Sequence, residues 1–350
     1  MPVLYRTYRP SKWSDVVGQE QVVGALKDAI SSKHIAHAYL FSGSRGTGKT
    51  SVARILARAI ETSEEDVYEI DAASNRGIDD IRHLREHVAV LPFSSPLKVY
   101  IIDEVHMLSK DAWNALLKTL EEPPAHVIFI LATTELEKVP ETIISRCQTF
   151  SFRRPSRDVI RAHVSDIAKK EGFTLDAGAA DLIALLGDGS FRDALGTLEK
   201  VIASSEPRAF SADSGAKKVG VIKRADVEEI TGAPKATLVN DLIEQIVSKD
   251  ADKALATIGK AVESGLSMNI FMTLILEKMR FILLTQFSPS SKQQIQSRTS
   301  EDDLAFISSL AGKKLVTAAM LSIMLQASTD TSRASIESLP LELAVVKICV

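Results

Sequence analysis

A stretch of eight residues from Gly43 to Thr50 has the pattern GxxxxGKT. An apolar segment precedes it and a helix-forming segment follows, which is the order of a strand, a loop and a helix. In that order the loop turns its N–H groups toward phosphate oxygens, the lysine reaches the β- and γ-phosphates, and the threonine can bind Mg²⁺. The pattern predicts a nucleotide triphosphate site formed by Gly43, Ser44, Arg45, Gly46, Thr47, Gly48, Lys49, Thr50 and Ser51.

Two adjacent carboxylates, Asp103 and Glu104, follow four apolar residues at 99–102. If these residues form a buried strand, Asp103 joins Thr50 as an Mg²⁺ ligand, and Glu104 can polarise the water that attacks the γ-phosphate. Any buried strand can also end in acidic residues at a turn, and periodicity alone does not assign chemistry. With a phosphate loop upstream, the pair favours ATP hydrolysis over phosphoryl transfer to a small molecule.

Short apolar segments alternate with helical ones through the first part of the chain. This alternation predicts an α/β fold in which a parallel sheet has helices on both faces. The predicted strands cover residues 38–42, 67–71, 99–103, 127–132 and 149–152. Helices are predicted at 19–32, 78–90 and 110–120, the last with Ser109 as its N-cap and an end before Pro123.

The pattern changes beyond Pro155, where apolar residues recur at helical spacing and no strong strand signal remains. The sequence predicts an all-helical region there, interrupted by a polar stretch at 204–220 that is typical of a loop. No function is assigned to this loop. A further helical block follows Gly232 and Pro234.

The composition limits the possible classes of protein. A net charge of −3 over 350 residues argues against a chain that is basic throughout and coats nucleic acid, although a local basic patch is compatible with it. The only two cysteines, Cys147 and Cys349, lie far apart in sequence and lack the spacing of metal ligands. Neither a disulfide framework nor a zinc site is therefore predicted. The histidines, His106 among them, lack ligand spacing and are expected to be core or surface residues. Neither an export signal nor a membrane span is recognised, and we expect a cytoplasmic protein.

A third group of residues, Ser145, Arg146 and Cys147, precedes the predicted fifth strand and follows Thr133 and Thr134. Together with the motifs described above, this group makes the chain resemble a known family. The family is that of the gamma/tau ATPase subunits of the bacterial DNA polymerase III clamp loader, in the AAA+ superfamily. The resemblance runs almost continuously from residue 4 to residue 200, and the closing LPLELAVVKI is similar to the family's last collar helix. The matching stretches are LYRTYRPSKWSDVVGQEQVVGALKDAI, HAYLFSGSRGTGKTSVARILARAI, YEIDAASNRGIDDIRHLRE, VYIIDEVHMLSKDAWNALLKTLEEPP, LATTELEKVPETIISRC and GSFRDALGTLEK.

The resemblance implies an architecture of three domains. The first is an AAA+ P-loop core with a parallel sheet and helices on both faces, expected at residues 1–154. A small helical lid domain with the polar loop 204–220 is expected at 155–232, and an all-α collar domain that serves oligomerisation at 233–350.

The resemblance also implies roles for single residues around the nucleotide. Four residues of the N-terminal segment correspond to the family's pocket on the adenine side, namely Arg9, Pro10, Val16 and Val17. Thr134, or its neighbour Thr133, resembles the sensor that reads the γ-phosphate from the fourth strand.

Two arginines are implied to act on the nucleotide from different subunits. Arg192 resembles the lid arginine that touches the nucleotide of its own subunit, and Arg146 resembles the arginine finger that serves the ATP of the adjacent subunit. A guanidinium offsets the negative charge that develops on the γ-phosphoryl group, and a finger supplied in trans couples hydrolysis to assembly. By residue type alone, an arginine after a helix is most often a solvated surface residue, and Arg192 beside Asp193 fits a surface ion pair of little energetic worth. Only the motif context favours the functional roles.

One departure from the family concerns metal binding. Relatives usually carry a four-cysteine zinc module between the phosphate-loop helix and the next strand, and this chain has no cysteine there. We therefore expect Mg²⁺ and no zinc.

For DNA contact, a helix start near Gly77 could present N–H groups to a phosphate, with Arg76 and Arg82 to neutralise charge. Ordinary helix-face charges explain the same two arginines equally well.

The function implied by the resemblance is that of an ATP-hydrolysing motor subunit. It would load the sliding clamp onto primer–template DNA, without reading its sequence, within the DNA polymerase III holoenzyme, a DNA-directed DNA polymerase. The expected partners are the sliding clamp, DNA and the other clamp-loader subunits in a hetero-oligomer, pentameric by resemblance, with no membrane.

Two alternatives to this function stay open. One is a subunit that binds nucleotide without hydrolysing it. The intact site residues disfavour it, namely Lys49, Thr50, Asp103 and Glu104. The other is a different AAA+ remodeller, such as a helicase loader or a branch-migration motor. The combination of DEVHMLS, SRC and a C-terminal collar disfavours that class.

Overall fold

The computed structural model describes residues 3–74, 84, 86–205, 220–288, 295–296, 298–331 and 333–350. Two sets of expectations lie outside these residues. They are the DNA-contact candidates Arg76 and Arg82 with Gly77, and most of the predicted helix 78–90 and polar loop 204–220.

The chain divides into two compact units. The first comprises Met1–Ile160 and Gly187–Gly196, and the second comprises Arg161–Leu186 and Thr197–Val350. The three domain bounds expected from the sequence stay predictions.

The first unit is built on alternating strands and helices. In chain order they are α1 (Leu4–Thr7), α2 (Glu20–Ser31), β1 (Ala38–Ser42), α3 (Lys49–Ala59), β2 (Val67–Asp71), β3 (Lys98–Asp103), α4 (Lys110–Glu121), β4 (Val127–Thr133), α5 (Glu141–Ile144), β5 (Gln148–Ser151) and the start of α6 (Arg157–Lys170), which belongs to the second unit from Arg161 onward. The five strands lie within one residue of their predicted bounds at each end.

The strands form one parallel sheet in the order β2-β3-β4-β1-β5. Side chains alternate between the two faces of a strand, and each face of this sheet has its own hydrophobic core. One face packs against Trp113 and Leu116 of α4, and the other against Leu26 of α2 and Leu56 of α3. The predicted parallel sheet with helices on both faces is confirmed.

Helix α4 shows how local sequence sets the bounds of an element. The Ser109 hydroxyl accepts a hydrogen bond from the N–H of Ala112 at 3.2 Å, which satisfies one free donor of the first turn. The helix ends at Glu121, before Pro123, because proline has no N–H and disfavours the helical conformation in the preceding residue. The predicted N-cap is confirmed.

The second unit is mainly helical. Its elements are β6 (Phe173–Leu175), α7 (Ala177–Leu186), most of α8 (Phe191–Ser204), β7 (Gly220–Ile222), α9 (Arg224–Thr231), α10 (Ala236–Val247), α11 (Ala251–Glu263), α12 (Met268–Phe287), α13 (Glu301–Lys313), α14 (Ala318–Thr331) and α15 (Leu339–Cys349).

Strands β6 and β7 pair in parallel and form a ribbon, so the expectation of an entirely helical region beyond Pro155 is wrong at this point. Each strand has three residues, and Phe173 pairs with Gly220, far along the chain. A strand of that length is too short for a periodic signal, and its partner is fixed only by the tertiary fold.

Three buried charges, Lys278, Asp303 and Glu228, and the half-buried Arg224 tie together three helices of the second unit. The Lys278 ammonium on α12 donates to Asp303 Oδ1 on α13 at 2.6 Å. On α9, Arg224 donates to Asp303 Oδ2 at 3.2 Å and to Glu228 Oε1 at 2.7 Å. Burial lowers the pKa of Lys278, and the negative charge of Asp303 opposes that shift.

Within the described residues, no helix has both the length and the apolar character that crossing a bilayer requires.

Candidate nucleotide-binding site

The phosphate loop connects the carboxyl end of β1 to the start of α3. Gly43, Gly46 and Gly48 all have positive φ, at 145°, 72° and 102°, a range that favours glycine. The N–H of Gly43 donates to the carbonyl of Thr133 on β4 at 3.2 Å. A Cβ on Gly46 would lie 2.0 Å from Ser190 Oγ, so only glycine allows residues 190–191 to approach the loop this closely.

Lys49 is a buried cation that faces neutral acceptors. Its ammonium donates to the carbonyls of Gly43 at 2.7 Å and Ser44 at 3.0 Å, and the residue is only 5% exposed. Burial lowers the pKa of Lys49, as does the positive charge of Arg192, while Glu104 and Asp103 raise it. A cation in this environment gains from a nearby anion, so the loop and Lys49 fit a bound phosphate group.

Thr50 and Asp103 meet as the sequence predicts. The Thr50 hydroxyl, at the start of α3, donates to Asp103 Oδ2 at 2.7 Å. The other carboxylate oxygen of Asp103 accepts from the N–H of Glu104 at 3.0 Å. A hydroxyl and a carboxylate at this separation are oxygen ligands of the kind that Mg²⁺ prefers, so the pair fits a magnesium ion.

Glu104 lies directly after β3 with a positive φ of 50°. Its Oε2 accepts from the Thr134 hydroxyl at 2.9 Å, beyond the end of β4. The structure thus brings together the carboxylate predicted to polarise water and the threonine predicted to sense the γ-phosphate. Thr133 is fully buried, and its hydroxyl oxygen accepts from the N–H of Glu135 at 3.0 Å, so Thr134 is the better placed of the two.

Sequence reasoning missed His106. Its Nδ1 lies 3.0 Å from Thr133 Oγ1 and 3.5 Å from Glu104 Oε2, and its Nε2 lies 3.2 Å from Glu135 Oε1. The side chain is 5% exposed, so the ring links the residues that follow β3 and β4 from a fixed position. The closeness of His106 to Glu104 in the motif DEVHMLS is the one signal in the sequence that points to it.

Gln19 is a second residue that sequence reasoning did not assign. Its amide donates to the carbonyls of Arg153 at 2.8 Å and Thr47 at 3.4 Å, and its Oε1 accepts from the N–H of Arg153 at 3.1 Å. The Thr47 hydroxyl in turn donates to the carbonyl of Ser44 at 2.9 Å. Gln19 is buried and joins the phosphate loop to the chain that follows β5.

The N-terminal segment lies at the first turn of α3. Arg9 donates through Nε to Ser51 Oγ at 3.2 Å, and its pKa is lowered by burial and by the nearby charge of Arg54. Pro10 is half-buried, Val16 packs against the core beneath α2 and α3, and Val17 is exposed. The predicted role of this segment in holding the adenine stays a prediction.

The two arginines predicted to act on the nucleotide lie in different surroundings. The N–H of Phe191 donates to the carbonyl of Gly46 at 3.1 Å, which brings Arg192 to the phosphate loop, where its guanidinium lies 5.6 Å from the ring centre of Tyr5. Arg146 instead contacts the Glu121 carboxylate and the backbone carbonyl of Thr142. Arg45, which the sequence predicts in the phosphate loop, is exposed.

A five-stranded parallel sheet, with a phosphate loop after β1 and with Asp103 and Glu104 at the end of β3, is the arrangement of a P-loop nucleotide-binding protein. The Holliday junction branch migration motor RuvB of Thermotoga maritima shares this fold with a TM-score of 0.52 over 74% of this chain and 86% of that chain. Their sequence identity is 18%, so the likeness concerns the fold alone.

Three family models match the chain. They describe the DNA polymerase III delta subunit over residues 18–76 and 61–156, the ATPase lid domain of the DNA polymerase III clamp loader subunit over 159–207, and domain III of DNA polymerase III subunits gamma and tau over 222–350.

Curated relatives agree with these models. The DNA polymerase III subunit tau of Bacillus subtilis (strain 168) is 44% identical over 283 residues, which are 75% of this chain and 48% of the relative. The subunit tau of Escherichia coli (strain K12) is 36% identical over 310 residues, or 83% of this chain and 46% of the relative. The chain belongs to the DNA polymerase III gamma/tau subunit family. It spans about half the length of the relatives that it matches.

Proposed function

We propose that this chain is an ATP-hydrolysing motor subunit of a bacterial replicative clamp loader, which places the sliding clamp on primer–template DNA. The observation that carries the proposal is the hydrogen bond of 2.7 Å between Thr50 and Asp103, with Glu104 next to it, in a member of the gamma/tau family. A hydroxyl, a metal-binding carboxylate and a second carboxylate in this arrangement serve nucleotide hydrolysis.

Binding of ATP rests on the phosphate loop of the same subunit. Lys49 would exchange the carbonyls of Gly43 and Ser44 for phosphate oxygens, which are stronger acceptors for its charge. Thr50 and Asp103 would hold Mg²⁺. The metal, when bound, offsets negative charge on the phosphates.

The chemical step rests on Glu104, Thr134 and Arg192. Glu104 would polarise the attacking water and accept its proton, while the Thr134 hydroxyl keeps the carboxylate in place. Arg192, held near the phosphate loop by the Phe191–Gly46 hydrogen bond, would add positive charge from the same subunit. Arg146 would supply the remaining guanidinium to the ATP of an adjacent subunit.

Because one ATP site would use residues of two subunits, the proposed function requires partner subunits. Arg146 needs a neighbouring subunit, which agrees with a hetero-oligomeric loader, and we propose a pentamer in the cytoplasm within the DNA polymerase III holoenzyme. Contact with the DNA backbone would be independent of sequence, with Arg76 and Arg82 as the candidates.

Steady-state ATP hydrolysis by the chain assembled with its partner subunits tests the proposal. Turnover is expected to rise when sliding clamp and primed DNA are added together. A remodeller of another class would respond to DNA without responding to the clamp, and a non-hydrolysing subunit would contribute no turnover of its own. If neither ligand raises turnover in the assembled complex, the proposal is wrong.

A further inference from the structure

The guanidinium of Arg146 is bound by groups of its own chain. Nη2 donates to Glu121 Oε1 at 2.7 Å. Nη1 donates to the carbonyl of Thr142 at 2.7 Å and to Ser145 Oγ at 3.3 Å. Of these acceptors only Glu121 is a charged side chain. It lies on α4, whereas Thr142 lies on α5 and Ser145 directly follows α5.

Both backbones that meet at this ion pair are fixed by the core. Leu120, next to Glu121 at the end of α4, is 1% exposed, and Ile143 on α5 is fully buried in the same hydrophobic cluster. Cys147, after Arg146, also packs against that cluster, and burial raises the pKa of its thiol to about 11. The ion pair therefore joins two side chains whose attachment points are fixed.

The pair itself lies at the surface. The Arg146 side chain is 34% exposed and that of Glu121 is 46% exposed. An ion pair so accessible to water contributes little to folding stability, so stability does not explain its presence. What it does is restrict a long, flexible side chain to one orientation, in a place that another subunit can reach.

We infer that Glu121 is a positioning residue for Arg146 and holds the guanidinium in the orientation from which it acts on the ATP of the adjacent subunit. The inference rests on the proposed function, in which Arg146 serves a neighbour. Without Glu121 the side chain would have to be ordered anew in each catalytic cycle, and hydrolysis would bear that entropic cost.

The test compares the variants E121A, E121Q, R146A and the double variant E121A/R146A in the assembled loader with clamp and primed DNA. The adjacent Glu122, which is also exposed, offers a matched control, E122A. We expect E121A to lower kcat about two- to fivefold with KM within about twofold. E121Q keeps an acceptor oxygen and should lose less, and E122A should match the wild type.

The double variant shows whether Glu121 acts through Arg146. The inference requires that E121A/R146A has the same kcat as R146A, and that E121A unfolds at the same temperature as the wild type. Additive losses, or a lowered Tm for E121A, would show a structural role and overturn it. A rise in kcat for E121A would overturn it too, because Glu121 would then restrain the arginine.

The same measurements separate this inference from the proposed function. If R146A loses turnover and E121A does not, only the positioning role of Glu121 is refuted. If R146A turns over like the wild type, Arg146 is not a finger, and both the trans mechanism and the inference fail.

Discussion

Lys49 stands out among the residues of the site because its charge is buried against two backbone carbonyls. An amine in such a place is partly desolvated, which is why its pKa is lowered, mainly by burial. Oxygens of a bound phosphate would replace the water contacts that the Lys49 ammonium loses on burial. The same reasoning explains why a lysine, with a single compact charge on a flexible stem, suits this position.

Replacing Lys49 with alanine is expected to weaken ATP binding by the isolated chain by about 10- to 100-fold, the worth of a charge-assisted hydrogen bond. Titration of the chain with a fluorescent ATP analogue measures the affinity. Lys27, exposed on α2, supplies the control K27A, which should bind like the wild type. Unchanged affinity in K49A would refute the phosphate-site assignment.

Glu104 allows binding and chemistry to be separated. Glutamine at this position can still accept from the Thr134 hydroxyl, but it cannot take a proton from water. E104Q is therefore expected to bind ATP within about threefold of the wild type and to hydrolyse it about 10²- to 10⁴-fold more slowly. Quenched-flow hydrolysis and equilibrium binding on one preparation check this. Near-normal turnover would mean that another group polarises the water.

Residue-level contacts were only partly accessible from the sequence. The pairing of Thr50 with Asp103 could be predicted because two motifs define it independently of the rest of the fold. The contacts of His106 and Gln19 could not, because each arises where chain segments distant in sequence converge at one edge of the sheet. Glu121 was missed for the same reason, since its partner lies 25 residues further on.

At the level of elements, the three inner strands β1, β3 and β4 were predictable because strands buried on both faces are almost continuously apolar. The connection between α3 and β2 was not, although it contains Asp66, a fully buried carboxylate. Asp66 accepts hydrogen bonds from the N–H groups of Phe93, Ser94 and Ser95 at 2.6, 2.9 and 2.9 Å, and from the Ser95 hydroxyl at 2.7 Å. It thereby anchors the turn that leads into β3.

Burial alone would raise the pKa of Asp66, but the hydrogen bonds outweigh it and hold the pKa well below its usual value. A depressed pKa means that the ionised group stabilises the fold at pH values above its unfolded pKa, about 3.9, and that this contribution is lost as pH falls toward the folded pKa. D66N should therefore lower the free energy of unfolding by about 2–4 kcal/mol at pH 7, and by progressively less below about pH 4.

Urea unfolding of the wild type and D66N at several pH values measures this difference. Glu64, which is exposed and lies two residues earlier, gives the control E64Q, whose free energy of unfolding should match that of the wild type. A gap that stays constant from neutral pH down to about pH 3 would contradict the assigned role of the carboxylate.

At the scale of the whole molecule, the second unit depends on charges as well as on apolar packing. Asp303 is 2% exposed and accepts from both Lys278 and Arg224, so it links α9, α12 and α13. Ribbon β6–β7 and this network both join segments distant in sequence, and neither has a local signature. In the sequence, Lys278 is a single lysine within the apolar stretch 270–287, and nothing there indicates its partners.

D303N should destabilise the second unit by about 3–5 kcal/mol, because the buried Lys278 and the half-buried Arg224 would lose the anion that they share. Hydrogen exchange of α9, α12 and α13 would report it as loss of protection in that unit. Asp302, adjacent and exposed, provides the control D302N. If D303N keeps the protection of the wild type, the network does not hold these helices together.

The central claim is that ATP binding belongs to one subunit, whereas hydrolysis belongs to the assembly. The most direct test measures ATP affinity and turnover on the same preparations of the isolated chain, the assembled loader and the loader carrying R146A. We predict affinities within about threefold of one another, a turnover at least about tenfold higher in the assembled loader, and loss of that gain in R146A. An isolated chain that hydrolyses ATP as fast as the assembled loader would contradict the claim.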